Sequence, residues 1–130
     1  MLYLVTNNDL VKEKYENGDN NIKVVMVESA NCILVLNKAR DLMHTGLRLE
    51  THPMAGSVKP NQNPYKTIIV SNSNNTEEEK LEQLLIIENA IVKSRELIEK
   101  RPIPDWDDKL LNDFKFVDLS LIESGLNSAI

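Results

Sequence analysis

Several residue types are scarce in this chain, and each scarcity excludes a class of protein. Cys32 is the single cysteine, so no internal disulfide can form and a disulfide-stapled secreted domain is excluded. It lies in an apolar run, which is more typical of a buried residue than of a nucleophile. His44 and His52 are the only histidines, and no cluster of Cys, His and carboxylate residues has metal-ligand spacing, so we predict no metal and no other cofactor.

Positive charge and long apolar runs are scarce as well. Lys and Arg number 15 against 20 Asp and Glu, which gives a net charge of -5. Because nucleic-acid binding needs clustered positive charge, we expect no nucleic-acid partner. No apolar run approaches the ~20 residues of a bilayer-spanning helix, so we expect no membrane partner. The first residues lack the basic and apolar regions of a signal peptide, so we expect a cytoplasmic protein.

The hydrophobic residues, 42% of the chain, alternate between short β-like runs and helical repeats. The runs Leu2–Val5, Ile22–Val27 and Thr67–Val70 predict strands. Apolar residues at helical spacing predict amphipathic helices near residues 31–45 and 77–100. This order predicts one α/β domain over the whole chain. We expect a small three-layer, Rossmann-like sheet of three to five mostly parallel strands, with flanking helices and extra C-terminal helices.

Two features of the topology stay open in the sequence. Arg48–Thr51 could form a further strand, and Thr67–Val70 would then pair with it antiparallel instead of joining a parallel sheet. At the C-terminal end, Asp105 and Asp118 could each cap a short helix.

The stretch from Gly46 to Lys66 is the most promising place for binding chemistry. Long connections without periodicity are uncommon in compact domains and are often functional, and the three prolines here argue against disorder. Gly56 lets the backbone approach a ligand closely, while Ser57 and Lys59 offer a hydroxyl group and a charge. One interpretation is a site for a small anion, phosphate or carboxylate. The other is a rigid loop that packs over the sheet edge with its lysines in water.

Further candidates lie beside this loop and after the first strand. His52 could act as an acid or base, since histidine titrates near neutral pH, but His52-Pro53 is more typical of a turn histidine bonded to its own loop. Asn7 and Asn8 follow the first strand, and ligands of open α/β sheets bind beyond the strands' carboxyl ends. The same residues are also ordinary helix caps. We predict as ligand-binding residues His52, Gly56, Ser57, Lys59, Tyr65, Lys66, Asn7 and Asn8. We predict no catalytic residue.

Two stretches of the chain resemble a known family. THPMAGSVKPNQNPYKTIIVS, from Thr51, and DFKFVDLSLIESGL, from Asp113, resemble the GrdX-like proteins. The resemblance runs nearly end to end and includes LVTNN from Leu4. GrdX-like proteins accompany the glycine, sarcosine and betaine reductase systems of amino-acid-fermenting anaerobes. The resemblance implies an accessory role near a selenoprotein reductase that releases acetyl phosphate, and it implies no catalytic residues.

Two functions of different classes follow from these observations. The lack of nucleophile, metal and cofactor signatures favours a non-catalytic accessory or small-anion-binding protein linked to the reductase system. The alternative is a small enzyme that acts on a phosphorylated or carboxylated metabolite through the His52–Lys66 loop. The partners that we expect are a protein component of the reductase complex, a small anionic metabolite, or a second copy of the chain in a homodimer.

Overall fold

A computed structural model describes residues 1–54 and 59–129, except for the side chains of residues 128 and 129. In chain order its elements are β1 (Leu2–Thr6), α1 (Asp9–Tyr15), β2 (Ile22–Met26), α2 (Ile33–His44), β3 (Arg48–Leu49), β4 (Thr67–Ser71), α3 (Glu77–Lys100) and α4 (Asp108–Ala129). The predicted helices over residues 31–45 and 77–100 are confirmed as α2 and α3. Within the described residues, no helix is long and apolar enough to cross a membrane.

The strands form one open, mixed sheet of four strands in the order β2-β1-β4-β3. β1 pairs with β2 in parallel, whereas β4 is antiparallel to both β1 and β3. The prediction of a mostly parallel sheet is therefore wrong, and a Rossmann-like fold is not confirmed. The physical reason is that β4 follows β3 without a crossover helix, so the chain reverses direction between them instead of returning to the opposite edge.

β3 is the further strand that the sequence left open, and it decides how β4 pairs. Its residue Leu49 pairs with Val70 of β4 in antiparallel register. Thr67, the first residue of β4, pairs with Thr6, the last residue of β1. The loop residues 50–54 and 59–66 therefore lie at the sheet edge where β1, β2 and β3 end. The two regions in which the sequence predicts binding residues meet at this edge.

Helices cover both faces of the sheet, so the predicted three layers are present. α2 and α3 pack on the face that carries Val5 and Ile68. α1 and α4 pack on the face that carries Leu4 and Ile69. All five residues of β4 are consequently buried. Burial of each large apolar side chain contributes roughly 1.5–3 kcal/mol to stability, which makes these two clusters the main source of the fold's stability.

α4 is one continuous helix of 22 residues. The prediction of two short helices capped by Asp105 and Asp118 is therefore wrong. Asp107 caps α4, since its Oδ1 accepts the backbone N–H of Leu110 at 2.9 Å. Asp118 lies in the middle of the helix and is buried. Its local cap preference is outweighed because Ile122 and its apolar neighbours on the same helix pack against the sheet.

Candidate functional site

A cavity of about 440 Å³ lies at the sheet edge where β1 ends and β4 begins. Its volume is in the range of small-molecule pockets. Residues from the end of β3, the loop before β4, the start of α2 and the middle of α4 form its walls. The lining side chains that carry chemistry are Cys32, Glu50, His52, Tyr65, Lys66, Thr67 and Asp118.

Asp118 brings a buried carboxylate to this cavity. The residue is only 5% exposed, and its Oδ2 accepts hydrogen bonds from Asn8 Nδ2 at 3.0 Å and from Thr67 Oγ1 at 2.8 Å. Burial raises the pKa of the Asp118 carboxyl above its ordinary value, although these hydrogen bonds and the charge of Lys66 oppose the shift. A carboxylate held in this way has a fixed orientation toward the cavity.

The hydrogen bonds behind Asp118 have a defined direction. Thr67 Oγ1 donates its single hydroxyl proton to Asp118 Oδ2. Thr6 must then donate to Thr67 across the 2.7 Å contact between their Oγ1 atoms. Thr6 Oγ1 in turn accepts the backbone N–H of Asn8 at 3.0 Å. Asn8 thus belongs to the network under the cavity, and its Oδ1 also caps α1 through the N–H of Leu10.

Asn7 holds the cavity's loop in place. Its Oδ1 accepts the backbone N–H of Lys66 at 2.9 Å. Its Nδ2 donates to the carbonyl of Pro64 at 2.8 Å and lies within 3.2 Å of the Ser29 carbonyl and 3.3 Å of the Asn31 carbonyl. Asn7 therefore ties the end of β1 both to the connection before α2 and to the residues just before β4.

Lys66 supplies the positive charge of the cavity. Its side chain is partly buried, and this burial lowers the pKa of its amine, while the neighbouring Cys32 and Asp118 act in the opposite direction. Within residues 1–54 and 59–129, no carboxylate lies within ion-pair distance of Lys66 Nζ. The ammonium group is therefore partly removed from water without a described ionic partner.

Cys32 lies beside Lys66 in the cavity wall. The residue is 1% exposed, which confirms the prediction that it is buried. Burial raises the pKa of its thiol, and the charge of Lys66 opposes this effect. A thiol with a raised pKa is a weak nucleophile at neutral pH, so its surroundings do not activate Cys32.

Two contacts join the loop before β4 to the C-terminal part of the chain. Trp106 Nε1 donates to the carbonyl of Gln62 at 2.8 Å, and the Trp106 ring packs at 5.5 Å from the Phe114 ring. Asn63 Nδ2 donates to the Phe114 carbonyl at 3.3 Å, while Asn63 Oδ1 accepts the N–H of Tyr65 at 2.8 Å. These bonds set the position of Tyr65 and, one residue later, of Lys66.

The family of the chain is shown by comparison with known proteins. Residues 3–127 match the model of the family described as GrdX-like protein. The chain belongs to the GrdX-like family. The match includes every described residue that lines the cavity. Searches of curated proteins and of solved structures find no match for this GrdX-like chain.

The residues predicted from the sequence of this GrdX-like chain have different outcomes. His52, Tyr65 and Lys66 line the cavity, and Asn7 and Asn8 form the hydrogen bonds beneath it. His52 is exposed, and its Nδ1 accepts the N–H of Met54 at 3.1 Å, as expected of a turn histidine.

Of the three remaining predicted residues, the structure describes only Lys59. Lys59 is exposed and does not line the cavity. Gly56 and Ser57 lie outside the described residues. Their predicted role in binding stays a prediction.

Sequence reasoning missed Asp118, Thr67 and Glu50 as parts of the site. A signal for Asp118 existed, because in one continuous helix this acidic residue shares the sheet-facing side with Ile122 and Gly125. An acidic side chain at an apolar position is a candidate functional group. Among the described residues of this GrdX-like chain, no cluster of three or more His, Cys, Asp or Glu could hold a metal ion.

Proposed function

We propose that this GrdX-like protein binds a small carboxylate or phosphate in the cavity beside Lys66. It does so as a non-catalytic accessory protein of a glycine, sarcosine or betaine reductase system. One observation carries the binding proposal. The Lys66 ammonium lines a cavity of about 440 Å³ without an ion pair to any described residue.

An anion is the ligand that best complements this arrangement. Partial burial of a cation without a partner costs free energy, because the cation loses hydration. An anionic group that binds to the cation offsets this loss with a charge-assisted hydrogen bond. Thr67, Tyr65 and Asn63 are further polar residues in the lining of the same cavity. Leu121 and Ile122 make part of the wall apolar, which favours exclusion of water from around a bound ligand.

The non-catalytic role is supported by the state of the groups that could react. Burial raises the pKa of the Cys32 thiol, and this disfavours the thiolate. The described hydrogen bond of His52 leads to its own loop, through the N–H of Met54, and not to a hydroxyl or thiol group. The link to the reductase system rests on the family, whose setting supplies small carboxylates and acetyl phosphate.

Isothermal titration calorimetry with acetate, phosphate and acetyl phosphate tests the binding. We expect Lys66→Met to weaken the binding of the best anion by roughly 10–100-fold, the effect of one charged hydrogen bond. Lys38→Met is the matched control, because Lys38 is exposed on α2 and does not line the cavity. If Lys66→Met binds these anions as the unaltered protein does, the proposal is wrong.

The same titration can include Lys59→Met. A loss of affinity in this variant would support the role that the sequence predicts for Lys59.

The link to the reductase is tested separately by affinity capture from a native extract of an organism that contains an intact complex. Recovery of no reductase component would contradict that link and leave the anion-binding result in place.

The alternative function is an enzyme that acts on a phosphorylated or carboxylated metabolite through the His52–Lys66 loop. Its support is that His52 and Lys66 line one cavity. An assay of acetyl phosphate hydrolysis, in which the released phosphate is measured, distinguishes the enzyme from the binding protein. Turnover that falls with His52→Gln would replace the binding proposal by this one.

A further inference from the structure

The cavity contains two opposite charges that do not neutralise each other. Lys66 and Asp118 both line it. Within residues 1–54 and 59–129, neither forms an ion pair with the other or with any third residue. The charge of each still affects the pKa of the other, so they lie near each other without direct contact.

Such an arrangement is unusual inside a protein. Buried charges are normally paired, because removal of a lone ion from water costs far more than a hydrogen bond returns. The described side-chain partners of Asp118 are the neutral groups of Asn8 and Thr67, and both bonds end on Oδ2. They orient the carboxylate but do not balance its charge.

Glu50, the other carboxylate in the cavity wall, has partners of its own. Its Oε1 accepts the hydroxyl of Ser71 at 2.6 Å and lies 3.7 Å from Arg48 Nε. Asp118 is therefore the cavity's carboxylate without a cationic partner among the described residues. The cavity has a positive group at Lys66 and a negative group at Asp118, separated by more than an ion-pair distance.

We propose that the ligand of this cavity is a small zwitterion whose carboxylate or phosphate meets Lys66 and whose ammonium group meets Asp118. The inference rests on the proposed function, since the contact of the anion with Lys66 is the same. It adds the second half of the ligand and the residue that recognises it. Because Lys66 and Asp118 are not in contact, the anionic group and the ammonium group of the ligand must also lie a few covalent bonds apart. The cavity volume of about 440 Å³ accommodates a molecule of amino-acid size.

Titration calorimetry with matched compounds on the full chain tests the proposal. Propanoate, propylamine and β-alanine share a three-carbon chain and carry a carboxylate, an ammonium group, or both. Ethyl phosphate and phosphoethanolamine are the corresponding phosphate pair, so the two sets also distinguish a carboxylate from a phosphate ligand. We expect the zwitterion of one set to bind roughly 10–100-fold more tightly than its anion, because it adds a charged hydrogen bond, and propylamine to bind least.

Asp118→Asn identifies the group that recognises the ammonium. We expect the variant to bind propanoate and β-alanine, or the two phosphates, with equal affinity. Asp113→Asn is the matched control, since Asp113 is exposed on the same helix and does not line the cavity. Thermal unfolding tests whether each variant is folded. If Asp118→Asn does not fold, the comparison of compounds on the unaltered protein still decides the proposal.

The outcomes separate this inference from the proposed function. If each anion binds as tightly as its zwitterion, the inference is overturned and anion binding stands. If no compound binds, both are overturned. If the zwitterion is preferred and Asp118→Asn keeps that preference, the assignment to Asp118 is wrong.

Discussion

The carboxyl group of Asp118 illustrates how the surroundings of a residue determine its chemistry. In the sequence it is one of 20 acidic residues of an acidic chain. In the fold it is 5% exposed and is held by Asn8 and Thr67. Because desolvation dominates over these hydrogen bonds, the pKa of its carboxyl is raised, which is the opposite of the usual effect of hydrogen bonding on an aspartate.

The raised pKa of Asp118 predicts a pH dependence of stability. At a pH below its ordinary pKa, the carboxyl is protonated in both the folded and the unfolded state and adds no pH-dependent cost. As the pH rises, the unfolded chain ionises first, and stability is lost until the pKa of the folded state is passed. As the pH rises above about 4, the ordinary pKa of an aspartate, we therefore expect the free energy of unfolding of Asp118→Asn to rise relative to that of the unaltered protein.

Urea denaturation across this pH range measures the effect. Asp113→Asn is the control, because it makes the same change at an exposed position of the same helix. The prediction fails if the advantage of Asp118→Asn shrinks as the pH rises.

At the scale of secondary-structure elements, local patterns identified the long helices but not the direction of β4. α2 and α3 match their predictions because each repeats apolar residues at helical spacing over several turns. The direction of β4 depends on β3, a strand of only two residues, Arg48 and Leu49. Nothing within Thr67–Ser71 encodes whether its neighbours run parallel or antiparallel. The pairing is set by where the chain enters the sheet.

Gly46 allows the turn between α2 and β3. Its φ is +111°, and an added Cβ would meet nothing within 4 Å. A substitution should therefore cost only backbone strain. We expect Gly46→Ala to lower the free energy of unfolding by about 1–2 kcal/mol.

Gly18→Ala is the matched control for this prediction. Its φ is not in the left-handed region, and the nearest contact of an added Cβ, the carbonyl oxygen of Lys14 at 3.7 Å, is an ordinary one. We expect its effect to stay within about 0.5 kcal/mol of zero. Equal losses in the two variants, measured by urea denaturation, would show that φ at Gly46 is not the cause.

At the scale of the whole molecule, the cavity is assembled from segments that are far apart in the chain. Tyr65, Lys66 and Asn7 could be predicted because each lies in a polar stretch beside a strand. Asp118 could not be placed beside Lys66, because only the packing of α4 against the sheet brings the two together. The sequence thus identified the part of the cavity formed by the loop before β4. The part formed by α4 could be identified only from the tertiary structure.

Asn7 joins the end of β1 to the connection before α2 and to the loop before β4, so its loss should affect more than its own position. Asn7→Ala leaves the N–H of Lys66 without its acceptor and the buried carbonyl of Pro64 without its donor. Because unsatisfied buried groups cost about 1–3 kcal/mol each, we expect a loss of about 2–4 kcal/mol in the free energy of unfolding. Urea denaturation followed by the fluorescence of Trp106, the single tryptophan, measures it.

The control is Asn72→Ala, because Asn72 is exposed and its described side-chain hydrogen bond is to the terminal amine of Met1, at 3.4 Å. Its effect should stay within about 0.5 kcal/mol. Hydrogen exchange adds a local test, since the Lys66 amide donates to Asn7 and should exchange faster in Asn7→Ala than in Asn72→Ala. If that amide keeps its protection while the protein is destabilised, Asn7 stabilises the fold through other contacts and does not hold Lys66 at the cavity.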